Sequence, residues 1–149
     1  MKIAIGCDHG GYNLKKSCID AVLSLGYEII DYGTDNAEVS VDYPDFSYKV
    51  ATAVASGEAD KGILLCGTGI GISIAANKVR GIRCAHITDI FSAQMVAEHN
   101  NANIIAMGGR ISTPEQAKAM TLKFLTTPFA GGRHQKRIDK ITEIERNNL

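Results

Sequence analysis

The chain has 149 residues, 45% of them apolar, with 16 Lys and Arg balanced by 16 Asp and Glu. That length suits one domain with a sizeable core, and the zero net charge excludes the basic excess that a nucleic-acid surface requires. No stretch approaches the roughly 18 apolar residues of a spanning helix, and MKIAIGCDHG is too short an apolar run for a signal peptide, so a soluble cytoplasmic protein with no membrane partner is expected.

Apolar runs alternate with amphipathic stretches along the chain. KIAIGC (2–7) reads as a strand, followed by a helix near 11–25; YEIIDY (27–32) is the next strand, with a helix over 42–57. KGILLC (61–66) leads into a helix over 70–79, IRCAHI (82–87) into one over 89–99, and NIIAMG (103–108) into helices over 114–126 and 133–147. The strand candidates are short, rich in Ile and bounded by Gly, Asp or Asn. Pro44 and Pro114 suit helix starts, and Gly26, Gly57 and Gly81 suit helix ends.

This alternation predicts an α/β fold, a Rossmann-like three-layer sandwich with a five-stranded parallel sheet, as one domain over 1–149. In such sheets ligands bind beyond the carboxyl ends of the strands. That rule selects Asp8 and His9, Gly33 and Thr34, Cys66 to Gly71, Thr88 and Asp89, and Gly109 and Arg110.

Within that set, CGTGIGISIAAN (66–77) carries the most chemistry. Gly67, Gly69 and Gly71, interleaved with Thr68 and Ile70, let the backbone turn tightly and aim N–H groups outward. Such a nest stabilises either a phosphate or a developing oxyanion. It lacks the G-K-[ST] of a Walker A loop and the spacing of a dinucleotide fingerprint. Cys66 stands at the strand end, where a thiolate could serve as nucleophile or general base; a plain buried strand cysteine is the alternative. Thr68 either steadies that thiolate or simply forms the turn. The four cysteines, Cys7, Cys18, Cys66 and Cys84, show no C-x-x-C spacing, which argues against zinc, and the expected intracellular location argues against disulfides.

In AEHNNAN (97–103), His99 closes a helix, as a dipole cap or as a proton shuttle, and Asn100 either orients a hydroxyl or caps the helix. In GGRHQKR (131–137), Arg133 and Arg137 share one helix face and read as a phosphate clamp or a solvated basic face. Arg110 is similarly ambiguous. Asp8 and His9 lack further ligands at metal spacing, so hydrogen bonding to hydroxyls is the more economical role.

The segments GCDHGG (6–11), VDYPD (41–45), CGTGIGISIAANK (66–78), EHNNAN (98–103) and GGRHQKR (131–137) jointly resemble type B ribose-5-phosphate isomerases, within the ribose/galactose isomerase group. The resemblance spans essentially the whole chain. It implies interconversion of ribose 5-phosphate and ribulose 5-phosphate with no metal or organic cofactor. Cys66 would be the base moving a proton between C2 and C1, Thr68 would support it, and the 67–71 backbone would hold the enediolate. His99 would open the sugar ring, with Asp8 and Asn100 assisting at the hydroxyls and Tyr43 lining the pocket. His9, Arg110, Arg133 and Arg137 would hold the phosphate, with His134 close by.

The residues alone favour a phosphate in the glycine nest, whereas the resemblance puts the oxyanion there. It also implies a homodimer with the site at the interface, the C-terminal helix contacting the partner subunit, and leaves open whether dimers pair into tetramers. Two departures stand out: Asn101 replaces an acidic residue common in the group, and 85–91 matches poorly, so no role passes to His86. The nearest alternative substrate is a six-carbon sugar phosphate, allose 6-phosphate or galactose 6-phosphate. Galactose enzymes of the group divide the catalytic residues between two different chains, whereas Cys66 and His99 occur together here. A nucleotide-binding domain is a further alternative, but it would not require Cys66, His99 and the paired arginines to converge.

Overall fold

Strand and helix alternate through residues 1–148, which the computed structural model describes. Five strands, β1 (Lys2–Cys7), β2 (Glu28–Asp31), β3 (Lys61–Cys66), β4 (Cys84–His86) and β5 (Ile104–Gly108), form one sheet in the order β2-β1-β3-β5-β4. All four pairings are parallel. Six helices connect or follow them: α1 (Tyr12–Ser24), α2 (Tyr43–Ala55), α3 (Ile70–Ala76), α4 (Ile90–Glu98), α5 (Pro114–Thr126) and α6 (Arg133–Asn147). The expected Rossmann-like α/β sandwich is the observed one.

Side-chain alternation along the strands builds two cores. Ile3, Ile5, Cys7, Ile63, Leu65, Ile105 and Met107 face α1, α4 and α5, where Leu14, Val22, Met120 and Phe124 fill the layer. Ala4, Leu64, Cys66, Ile104 and Ala106 face α2 and α3 on the other side, against Val50, Ala51, Ile72 and Ala76. Because both faces are covered, these strands are apolar throughout, as GILLC and IIAM read in the sequence.

The chain leaves β1 to build β2 on one side, then crosses back to place β3 on the other. The loops after β1 and β3 therefore diverge to opposite faces, which opens a crevice at their carboxyl ends. Asp8 and Cys66 stand on its two sides.

Most element bounds fall within one or two residues of the sequence expectation. Two differ for one reason. Helix α3 stops at Ala76 instead of continuing to 79, and β4 is confined to Cys84–His86 instead of 82–87. The Asn77 amide pairs with Cys84 at both ends, accepting from its N–H at 2.8 Å and donating to its carbonyl at 2.9 Å. Asn77 ends the helix through its backbone N–H, which donates to the Ser73 carbonyl, while its side chain occupies the free edge of β4.

Candidate active site

At the carboxyl edge, the loop after β1 is folded by its own carboxylate. Asp8, only 7% exposed, accepts the N–H groups of Gly10 and Gly11 through Oδ1 at 2.9 and 3.1 Å. Gly11 then backs onto the end of β3, where a Cβ would stand 2.5 Å from the Leu65 carbonyl oxygen and 2.6 Å from the Cys66 nitrogen. Space, not backbone conformation, demands glycine here, since its φ of −103° suits any residue. His9 accepts the Val41 N–H through Nδ1 at 3.2 Å, so in its neutral form the ring carries its proton on Nε2.

Cys66 is the last residue of β3 and is 4% exposed. Its Sγ accepts the Gly69 N–H at 3.1 Å, closing the turn back onto the thiol. An N–H aimed at sulfur stabilises a thiolate more than a thiol. Gly69 adopts φ 81°, in the left-handed region that favours glycine. The Thr68 hydroxyl accepts the Ile70 N–H at 3.2 Å, so the sulfur's partner is the Gly69 amide while Thr68 braces the next peptide. Tyr43 lies over Gly71, with Cζ 2.6 Å from where a Cβ would be, and the Arg110 guanidinium lies over Gly67. Asn13, with no sequence signal of its own, ties the two neighbouring loops by donating to the Gly109 carbonyl at 3.0 Å.

Burial pushes Cys7 up to about 11 despite the nearby Lys15 ammonium, and Cys18 and Cys84 up to about 12. They stay protonated at neutral pH and act as small apolar groups.

A second cluster forms at the opposite edge. Helix α4 starts after β4 and runs back antiparallel to the strands for nine residues, about 13 Å at 1.5 Å per residue. His99, which caps its C-terminus, therefore sits near the amino ends of the strands, shortly before β5 begins. The Ala130 N–H bonds to the Glu98 carbonyl at 2.9 Å, which brings the start of α6 to the same place. The His99 and His134 rings stack with centroids 4.2 Å apart and planes 14° from parallel. The Glu98 carboxylate stands 3.9 Å from His99 Nε2. Partial burial and the positive fields of His99, Arg133 and Arg137 hold His134 below the ordinary histidine value, against a smaller opposing pull from Glu98.

The structure thus gathers Asp8, His9, Tyr43, Cys66 to Gly71 and Arg110 at one edge, and His99, Asn100, Arg133, His134 and Arg137 at the other. Within one chain the two sets do not meet. A cavity of about 740 Å³ lies between α6 and the segment 77–85, and only Asn100 of these residues lines it. The chemistry marks the site better than the volume does. Among the described residues, no group of three or more His, Cys, Asp or Glu is placed to hold a metal ion, and no helix is long and apolar enough to cross a membrane.

His86 was missed. It ends β4, and its Nε2 lies 2.8 Å from the Thr68 carbonyl oxygen, against the turn that carries Gly69. The carboxyl-end rule reaches it only with the strand ending at His86, as the structure has it, and not at the expected 87, which selects Thr88 and Asp89 instead.

A parallel sheet with a thiol, a carboxylate and an arginine gathered at its carboxyl edge defines a Rossmann-like α/β enzyme. The family model described as Ribose/Galactose Isomerase matches residues 3–141. The solved ribose-5-phosphate isomerase B of Clostridium thermocellum superposes with a TM-score of 0.96, at 55% identity over 100% of both chains. The Escherichia coli protein named ribose-5-phosphate isomerase B is 48% identical over 97% of this chain and 96% of its own. A Pectobacterium atrosepticum relative named D-erythrulose-4-phosphate isomerase is 42% identical over 97% and 95%. The chain belongs to the ribose/galactose isomerase family.

Proposed function

We propose that this chain interconverts ribose 5-phosphate and ribulose 5-phosphate through an enediolate, in a homodimer whose two sites are each shared between subunits. Cys66, as thiolate, takes the proton from C2 of the open-chain aldose, and the electron pair moves to form the C1=C2 enediolate. The thiol returns the proton at C1, while a hydroxyl proton shifts from O2 to O1, giving the ketose. A proton beside a hydroxy-carbonyl is weakly acidic, so the developing oxyanion needs donors placed in advance; the amides of the 67–71 turn meet that need. Thr68 braces the turn.

His99 opens the furanose ring by protonating its ring oxygen. Because α4 carries His99 to the edge remote from Cys66 in its own chain, the His99 that serves a given thiol comes from the second copy. Arg133, Arg137 and His134 come with it. They join His9 and Arg110 around the phosphate, while Asp8, Tyr43 and Asn100 meet the hydroxyls.

The observation that carries this reading is the Cys66 sulfur under the Gly69 amide, at the crevice where an α/β sheet binds its ligand. Substrate length is the second question, because a 42% identical relative is named for a four-carbon sugar phosphate. A coupled assay with EDTA present, run on ribose 5-phosphate, allose 6-phosphate, galactose 6-phosphate and erythrulose 4-phosphate, tests reaction class and length together. The highest kcat/KM is expected on ribose 5-phosphate; a higher value on another sugar, or loss of activity with EDTA, overturns the reading.

A further inference from the structure

We infer that His86 is a positioning residue for Cys66, acting through the single peptide between Thr68 and Gly69. This rests on Cys66 being the reactive thiol of the proposed function. The Thr68 carbonyl can only accept, so the His86 nitrogen 2.8 Å away carries its proton and donates to it. The other end of the same peptide is the Gly69 N–H, which donates to the Cys66 sulfur at 3.1 Å. In a planar trans peptide C=O and N–H point in opposite directions. Drawing the oxygen toward His86 therefore swings the N–H toward the sulfur. A donor on the carbonyl also polarises the peptide and makes its N–H the stronger donor.

The surroundings leave this work to His86. The Thr68 hydroxyl is engaged one peptide further on, with Ile70 N–H. From behind, β5 supports the Thr68 backbone only by contact, at Gly108, where a Cβ would stand 2.5 Å from the Thr68 carbonyl oxygen. The sheet order puts β5 between β4 and β3, with His86 registered beside Ala106 and Cys66 beside Gly108. Those two small residues leave room for the imidazole to reach across the end of β5. On arrival the ring also touches the turn, its Cδ2 lying 2.9 Å from a Cβ built on Gly69. The peptide is held at both ends, by two side chains from strands that are not neighbours.

The test compares the unmodified chain with His86→Ala and His86→Gln, whose amide nitrogen can replace Nε2–H. Iodoacetamide alkylation of Cys66, located by peptide mass spectrometry, is followed against pH without substrate. Loss of one hydrogen bond to the thiolate moves the midpoint of the Cys66 profile upward by about 0.5–1 pH unit in His86→Ala, and His86→Gln recovers most of it. In the isomerase assay His86→Ala lowers kcat by about three- to tenfold with little change in KM. An unmoved alkylation midpoint in His86→Ala overturns the inference, as does an equal shift in both variants. Because alkylation needs no sugar, the expected profiles in a chain inactive on ribose 5-phosphate would sink the proposed function and leave this inference standing.

Discussion

The two edges of the sheet are built differently. At the carboxyl edge the polar groups bond inward: Asp8 to two amides, Cys66 to Gly69, His86 to Thr68 and Asn13 to Gly109. Close backbone contact between successive loops leaves little freedom there. At the amino edge α6 buries only Ile138 and presents Arg133 and Arg137 outward, with Ile141 and Ile144 49% and 62% exposed. One chain completes the first cluster by itself, whereas the second leaves Arg133 and Arg137 exposed, with Ile141 and Ile144 lining an open cavity against residues 77–85. A half-site fixed internally beside one left exposed is what the proposed shared dimer site requires.

The largest effect is expected where the fixed edge carries chemistry. In the proposed mechanism Cys66→Ala removes the base, so kcat is expected to fall by about a hundred- to ten-thousandfold, while binding of ribose 5-phosphate measured by calorimetry persists. Turnover near that of the unmodified chain would remove Cys66 from the mechanism. The outward edge is tested by mixing. His99→Asn is expected to be impaired on the closed sugar. Equal amounts of Cys66→Ala and His99→Asn, unfolded and refolded together, form hybrids in which one site holds both intact residues. Random pairing then recovers about a quarter of the unmodified activity in a C2 dimer with shared sites. No recovery would place both residues in sites built by a single chain.

The rigidity of the carboxyl edge predicts a smaller, structural effect. Gly11→Ala puts a methyl group against the carbonyl of Leu65, where β3 backbone cannot yield without moving Cys66. Overpacking of this kind costs about 1–3 kcal/mol, or roughly 2–12 °C in Tm for a chain of this size. Calorimetry checks it, and an unchanged Tm would mean the two loops are looser than they stand.

How far the sequence revealed all this depends on the range of the interaction. Strand and helix order, the carboxyl-end rule and the Cys66 turn were legible because each is written in contiguous residues. Asn77 ended α3 early and shortened β4 through a contact seven residues away, and no local propensity signals that an amide will substitute for a strand. His86 was hidden by the same shortening. The His99–His134 stack joins residues 35 apart through the packing of α6 on the end of α4, which periodicity cannot show. Arg133 and Arg137 share a face, as expected, but where that face lies relative to Cys66 follows from the run of α4 and the docking of α6 at its end.

The smallest expected effect concerns the pH response of the outward cluster. His134 titrates below its ordinary value because it is partly desolvated and faces His99, Arg133 and Arg137, with Glu98 alone pulling the other way. Between the lowered folded value and the ordinary value near 6.5, the unfolded chain binds more protons than the folded one. Stability therefore rises with pH through that window and is lost on acidification, levelling off once both states are protonated. Tm measured at fixed protein concentration from pH 7.5 down to 5 should fall more steeply in the unmodified chain than in His134→Asn, which cannot take up the proton. Parallel curves would show that His134 is not held below its ordinary value.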